Sequence, residues 1–363
     1  MTRRSFIGVG AAAMAATALA GCSSGSGSGS ASASASSASA SAASASAASA
    51  SASASASAAS ASAAGTGSAL RFATGGESGT YYALGTIMAQ HANNNAGLNI
   101  TAVSSDGSKA NVLDIEDGVA QLAFCQSDVA SYAYNGSTFE DFEGMPIKKL
   151  TTVAALYEEQ IQIVTCDPSI KSVADLKGKN VSIGAAGSGV YFNAIDVLGV
   201  YDITESDISA KYQSFQDSAD ALKDGKIDAA FVVAGAPTSA ITDLATTKDA
   251  YLVEIDAEHA QALKSKNSFY NEAKIPANTY TGTANAETAT VSVDSLVLAV
   301  DSVSEDDVYA FVADIFDNLP ELEESNAKFS EFDVKKAASY DVVPYHPGAA
   351  KYFKEKGATV AGA

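Results

Sequence analysis

Two short stretches of the chain share a pattern 110 positions apart: Ser78-Gly79-Thr80-Tyr81-Tyr82 and Ser188-Gly189-Val190-Tyr191-Phe192. Each follows a short apolar run, Leu70–Thr74 in the first case and Asn180–Gly184 in the second, and each precedes a helix-like run. The chemistry such a turn offers is anion recognition. Glycine lets backbone come close to a ligand, and the unpaired N–H groups at a helix start point at it. The first turn offers Gly76, Ser78, Gly79, Thr80 and Tyr81 as candidate contacts; the second offers Gly187, Ser188, Gly189, Val190 and, one helical turn on, Asn193. Each turn also reads as a plain capped helix start, with Ser78 or Thr80 as the cap.

Three further places end strand-like runs and join the candidate set. Gln126 and Ser127 follow Leu122–Cys125; Ser127 caps the next helix, or reaches a ligand, or does both. Gly235 and Pro237 follow 228–234, with Pro237 suited to a helix start. Tyr157 stands between an apolar run and Glu158-Glu159, either covering a ligand at a hinge or packed in the core. Asp128 in a first helical turn suits the helix dipole.

Catalytic patterns are missing. Neither Ser78 nor Ser188 sits in a Gly-x-Ser-x-Gly elbow, and no complete phosphate-loop pattern with its Lys-Ser/Thr occurs. The three histidines, His91, His259 and His346, lie far apart with no metal-ligand spacing. A binding protein without cofactor or metal is therefore expected, rather than an enzyme. Cys125 and Cys166 each close an apolar run; two thiols are favoured over a bridge. After the first few residues the chain has a single arginine, Arg71. A guanidinium clamp on a carboxylate is nearly excluded, leaving backbone N–H groups and hydroxyls to hold an acid.

These groups need a scaffold, and the alternation supplies one. Strand-like runs at 70–74, 98–103, 120–125, 150–156, 160–165, 180–184, 211–214, 228–234 and 251–255 alternate with helix-like runs. That pattern predicts an α/β fold with mostly parallel sheet, whose ligands bind beyond the carboxyl ends of strands. A second echo, Asp117-Gly118 through Phe124 against Asp224-Gly225 through Phe231, supports two similar lobes. Residues 289–299 suit a crossover strand, and helices follow to about Gly357. Residues 70–154 plus 285–363 are read as one lobe and 155–284 as the other, so that two chain crossings form a hinge.

The front of the chain reads as an address. Arg3 and Arg4 precede an apolar stretch from Phe6 to Leu19, too short to span a bilayer. The order Thr2-Arg3-Arg4-Ser5-Phe6-Ile7 resembles a twin-arginine export signal, and Leu19-Ala20-Gly21-Cys22 resembles a lipobox, with Cys22 carrying lipid. Residues 1–22 are thus a signal peptide. Residues 23–69, nearly pure Ser and Ala, form a flexible tether with a reach of roughly 35–40 Å. The expected location is the outer face of the cell membrane, at the cell surface or in the periplasm. A formal charge of −20 makes nucleic acid an unlikely partner.

Taken in order, the motifs resemble a known family: the extracytoplasmic solute receptors of TRAP transporters, TAXI subgroup. The resemblance rests on Thr74-Gly75-Gly76 through Gly79-Thr80-Tyr81-Tyr82, on Gln126-Ser127-Asp128-Val129-Ala130 with Tyr134-Asn135-Gly136, and on Lys171 through Gly178. It continues in Gly187-Ser188-Gly189, Asp228-Ala229-Ala230-Phe231, Gly235-Ala236-Pro237, Ile275 through Tyr280 and His346-Pro347-Gly348-Ala349. It implies a two-lobed periplasmic-binding-protein type II fold that closes on a small organic acid of the glutamate, glutamine or dicarboxylate class. It further implies delivery to an ion-gradient-driven TRAP permease. The chain departs from the family pattern at Ala83, Ala186 and Val190; the last replaces a frequent threonine and removes a hydroxyl. An alternative use of the same fold is a ligand-sensing module that partners a membrane sensor.

Overall fold

The computed structural model describes residues 68–138, 140–280 and 286–362. The signal peptide, Cys22, nearly all of the tether and the expected 284/285 boundary lie outside the described residues.

Among the described residues ten strands form one sheet: β1 (Ala69–Ala73), β2 (Asn99–Val103), β3 (Leu122–Gln126), β4 (Leu150–Thr165), β5 (Asn180–Ser182), β6 (Ser209–Lys211), β7 (Ala229–Ala234), β8 (Tyr251–Val253), β9 (Asn271–Ile275) and β10 (Thr288–Val300). Seven helices intersperse them: α1 (Thr80–Asn95), α2 (Ser108–Glu116), α3 (Ser127–Asn135), α4 (Val190–Val200), α5 (Phe215–Lys223), α6 (Ser239–Thr247) and α7 (Ala257–Lys266). Four more close the chain: α8 (Glu305–Asp317), α9 (Leu319–Ser325), α10 (Val334–Ala337) and α11 (Pro347–Glu355).

The order β2-β1-β3-β10-β4-β7-β5-β6 contains the same arrangement twice. In one half β1 pairs in parallel with β2 and β3, and β10 runs antiparallel beside β3. In the other β5 pairs in parallel with β6 and β7, and β4 runs antiparallel beside β7. The echoes in the sequence fall on equivalent places in the two halves. The long strands β4 and β10 pair with each other and carry the chain between the halves, which is the two-lobed α/β arrangement with a hinge that was expected. Their register is irregular between Asp294 and Leu296 and again between Val297 and Leu298, bulges of the kind that bend a strand.

Alternation along the strands gives each half two apolar layers. Phe72 and Phe124 point toward α1, α8 and α11, packing with Leu84, Met88, Phe311 and Phe353. Ala73, Ala123 and Cys125 point the other way, toward Val112, Val129 and Leu298. Gly85 lets α1 lie close on the sheet, because a Cβ there would sit 2.5 Å from the Thr74 methyl. In the second half Phe231 and Val233 face one layer and Ala230, Val232 and Ala234 the other. Cys125 and Cys166 are free thiols, the first buried and the second half-buried.

Three elements differ from the sequence reading. The runs 150–156 and 160–165 are one 16-residue strand, β4, because the intervening Glu158 and Glu159 stay paired to Asp294 and Val293 of β10. β9, polar along most of its length, is a strand because β10 offers it an edge. The tail, read as helices to about Gly357, is interrupted after Ser325 by a 3-10 turn at Ala327–Glu331, capped by Asn326.

Candidate functional site

A cavity of about 80 Å³ opens where the two halves meet, and four helix starts line it. α1 contributes Gly79, Thr80 and Tyr81; α2 contributes Gly107 and Ser108; α4 contributes Gly189 and Val190; α5 contributes Ser214 and Phe215. At α1, α2 and α4 a glycine occupies the cap position and no side chain caps the first-turn N–H groups. Only α5 is capped, by Ser214 accepting from the Asp217 N–H at 3.1 Å, and not by Asp217 or Ser218 as their type allows. Four helix dipoles at one cavity create a positive field without a cation.

The side chains in the wall have the opposite character. Asp106 and Glu159 line the cavity, and among the described residues no lysine, arginine or histidine does. Glu159 is 2% exposed, and its Oε2 accepts from the Tyr81 hydroxyl at 2.6 Å. Burial pushes its carboxyl up to about 8, against the lowering effect of the Tyr81 bond.

Of the expected contacts, Gly76, Gly79, Thr80, Tyr81, Gln126, Ser188, Gly189 and Val190 lie in the wall. The others do not, and each has another occupation. The Ser78 carbonyl accepts from the Ala240 N–H at 3.3 Å. Ser127 turns its hydroxyl to the Asp294 N–H at 3.2 Å. Tyr157 is fully buried and stacks on Phe332, so the packed alternative holds. The Gly187 carbonyl accepts from the Ala110 N–H at 2.9 Å. Gly235 gives its carbonyl to the Thr80 and Thr238 hydroxyls. Pro237 is exposed, after a cis peptide bond, and α6 starts only at Ser239 with Thr238 as its cap.

Asn193 belongs to a buried polar chain that joins the halves. Its Nδ2 donates to Asp128 Oδ2 at 2.8 Å and to the Tyr270 hydroxyl at 3.2 Å, while its Oδ1 accepts from Gln126 Nε2 at 2.9 Å. Tyr270 in turn donates to Asp196 Oδ2 at 3.0 Å. Burial raises Asp128 to about 7. Thr80 also spans the halves, its hydroxyl donating to the Gly235 carbonyl at 3.2 Å, so this hydroxyl is engaged in closure. With Lys328 Nζ on the Ala236 carbonyl at 2.9 Å, the two halves are held together on several sides of the cavity.

The sequence reading missed Gly75, Ser105, Asp106, Gly107, Ser108, Glu159, Ala185, Gln213, Ser214, Phe215, Val233 and Ala234. Two groups of them carry the signal already used at Ser78: Asp106-Gly107-Ser108 and Gln213-Ser214 each sit between a strand and a helix start. Glu159 had no such signal.

Residues 72–357 match the pattern that defines the NMT1-like family. Among solved structures, the periplasmic aliphatic sulphonate-binding protein SsuA from Escherichia coli is similar at 17% identity and TM-score 0.43, covering 79% of this chain and 82% of that one. The substrate-binding protein of an amino acid ABC transporter is similar at 13% identity and TM-score 0.42, covering 73% and 99%. The effector-binding domain of a BenM variant is similar at 10% identity and TM-score 0.43, covering 73% and 97%.

Proposed function

The chain belongs to the NMT1-like family, and on that premise we propose that it is an exported solute-binding lipoprotein, not an enzyme. It captures a small organic acid of the glutamate, glutamine or dicarboxylate class between its halves. It then delivers that acid to an ion-gradient-driven TRAP permease. In this reading Cys22 carries the lipid and residues 23–69 are the tether.

The observation that carries the proposal is the cavity itself, walled by three helix starts with a glycine at the cap and no side-chain cap, and enclosed by contacts between the halves. Backbone amides and helix dipoles suit a carboxylate without any guanidinium. A hinge of two strands suits closure around a solute.

Binding to the folded state alone raises the unfolding midpoint. Thermal unfolding in the presence of each amino acid and small dicarboxylate tests the reading: at least one member of the class is expected to raise the midpoint by several degrees at millimolar concentration. If none does, the acid-receptor proposal fails. Transport by cells carrying a TRAP permease with and without this chain tests the delivery step, and uptake indifferent to the chain would refute it.

A further inference from the structure

Glu159 lies on β4 where that strand runs from one half of the sheet to the other, beside the cavity. The groups around its carboxyl are Tyr81 from α1, Tyr157 from the same strand, Asp128 from α3, Cys125 from β3 and Lys328 from the 3-10 turn at 327–331. The one cation among them is committed elsewhere: Lys328 Nζ binds Glu331 Oε1 at 2.6 Å and the Ala236 carbonyl at 2.9 Å. The cavity wall therefore holds a buried carboxyl with a tyrosine donor and no paired cation.

Two amide oxygens in the same wall, Gln126 Oε1 and Gln213 Oε1, are buried and have no donor. The orientation of Gln126 is dictated by the chain of bonds behind it. Asn193 gives its Nδ2 to Asp128, so its Oδ1 must accept. Gln126 must then offer Nε2 to that oxygen, which leaves Oε1 against Gly189. Buried acceptors are ordinarily satisfied, and unsatisfied ones at a cavity call for donors from what fills it.

We propose that the ligand presents an ammonium group to Glu159 and the side-chain oxygens of Gln126 and Gln213, while its carboxylate lies against the open helix starts. The site accordingly takes amino acids and rejects dicarboxylates that lack the amine. The inference rests on the receptor reading above and narrows its ligand class. A dicarboxylate brings no donor to the Gln126 and Gln213 oxygens and no charge to offset Glu159 once it ionises, whereas an ammonium brings three donors and that charge. Burial holds the empty site's carboxyl protonated up to about pH 8, so it pairs with an ammonium only by giving up that proton. Binding of an ammonium then expels that proton to solvent. Affinity for the amino acid should drop about tenfold for each pH unit below that value.

The test is calorimetric titration of the full-length protein with L-glutamine, L-glutamate and glutarate, which matches glutamate in length but has no amine. Measurements at pH 6 and pH 8, in buffers of different ionisation enthalpy, count the protons released. An amino acid binding at least 100-fold tighter than glutarate, with close to one proton released at pH 6, is the expected result. Glu159→Gln should weaken the amino acid at least tenfold and flatten its pH dependence, while glutarate binding stays the same or improves. If Glu159→Gln does not fold, the proton count on the unmodified protein decides. Glutarate binding as tightly as the amino acids, or amino acid binding with no proton released, overturns the ammonium assignment and leaves the receptor reading standing. If neither the amino acids of a full panel nor any dicarboxylate binds, both fall.

Discussion

The two halves of the sheet repeat one backbone plan, yet their glycine turns tolerate very different intrusions. At Gly76 an added Cβ meets nothing within 4 Å, and at Gly79 its nearest neighbour is the Gly76 carbonyl at 3.2 Å. At Gly189 it would lie 1.6 Å from Gln126 Oε1, a side chain of the other half. The first turn also meets the other half, with the Phe215 ring 3.5 Å from an added Gly79 Cβ, but at ordinary contact distance, whereas at the second turn the side chain of the other half fills the space a Cβ would take. Repetition in the sequence therefore marks where the backbone repeats, and not how the work of closure is divided.

Gly189→Ala should break this asymmetry most forcefully. Steric conflict with the fixed Gln126 predicts a loss of about 1–3 kcal/mol in stability and at least a 100-fold loss of affinity in calorimetry. Gly79→Ala should cost much less, and Gly76→Ala should leave affinity within about twofold. Equal effects at Gly189 and Gly79 would refute the asymmetry. Adding Gln126→Ala to Gly189→Ala sharpens the comparison, because it should recover part of the stability if the conflict is with that side chain.

Next in size is Asn193→Ala, which strips partners from Gln126 and Asp128 at once. Chemical denaturation should show a loss of about 2–3 kcal/mol, and solute binding should weaken because the halves no longer share that chain. A change in pH should act without mutation. Burial holds both Glu159, at about 8, and Asp128, at about 7, above the ordinary carboxyl range. The ligand-free folded state therefore binds more protons than the unfolded chain over pH 5–8, so stability must fall as pH rises through that window. Its thermal midpoint should be several degrees lower at pH 8 than at pH 5; a midpoint that rises would contradict this. The smallest effect is expected at Ser188. Its hydroxyl donates to the Ala185 carbonyl at 2.7 Å inside the turn, so Ser188→Ala should weaken binding only a few-fold and leave the ligand-free fold intact.

The parts of the molecule that local chemistry decides were legible in the sequence. Gly-rich turns after apolar runs located α1 and α4, and the paired Asp-Gly echoes located the strands β3 and β7. Glu159 was not legible, because a Glu-Glu pair reads as the end of a strand and only the pairing of β4 with β10 keeps it inside one. For Gln126 the residue was identified but the consequence was not. That its carbonyl oxygen is left against Gly189 without a donor depends on Asp128 and on Asn193, 67 positions away. Tyr157 shows the limit of residue type, since nothing local distinguishes an aromatic that lines a cavity from one stacked on Phe332.

The two antiparallel strands also impose an order in time. As the chain is made, β1, β2 and β3 appear first, but their fourth strand, β10, begins more than 160 residues after β3 ends. The second half has β4, β5, β6 and β7 in one unbroken stretch and needs no such wait. The half begun later can thus assemble its strands first, and the earlier one remains an unfinished edge until nearly the whole protein has emerged.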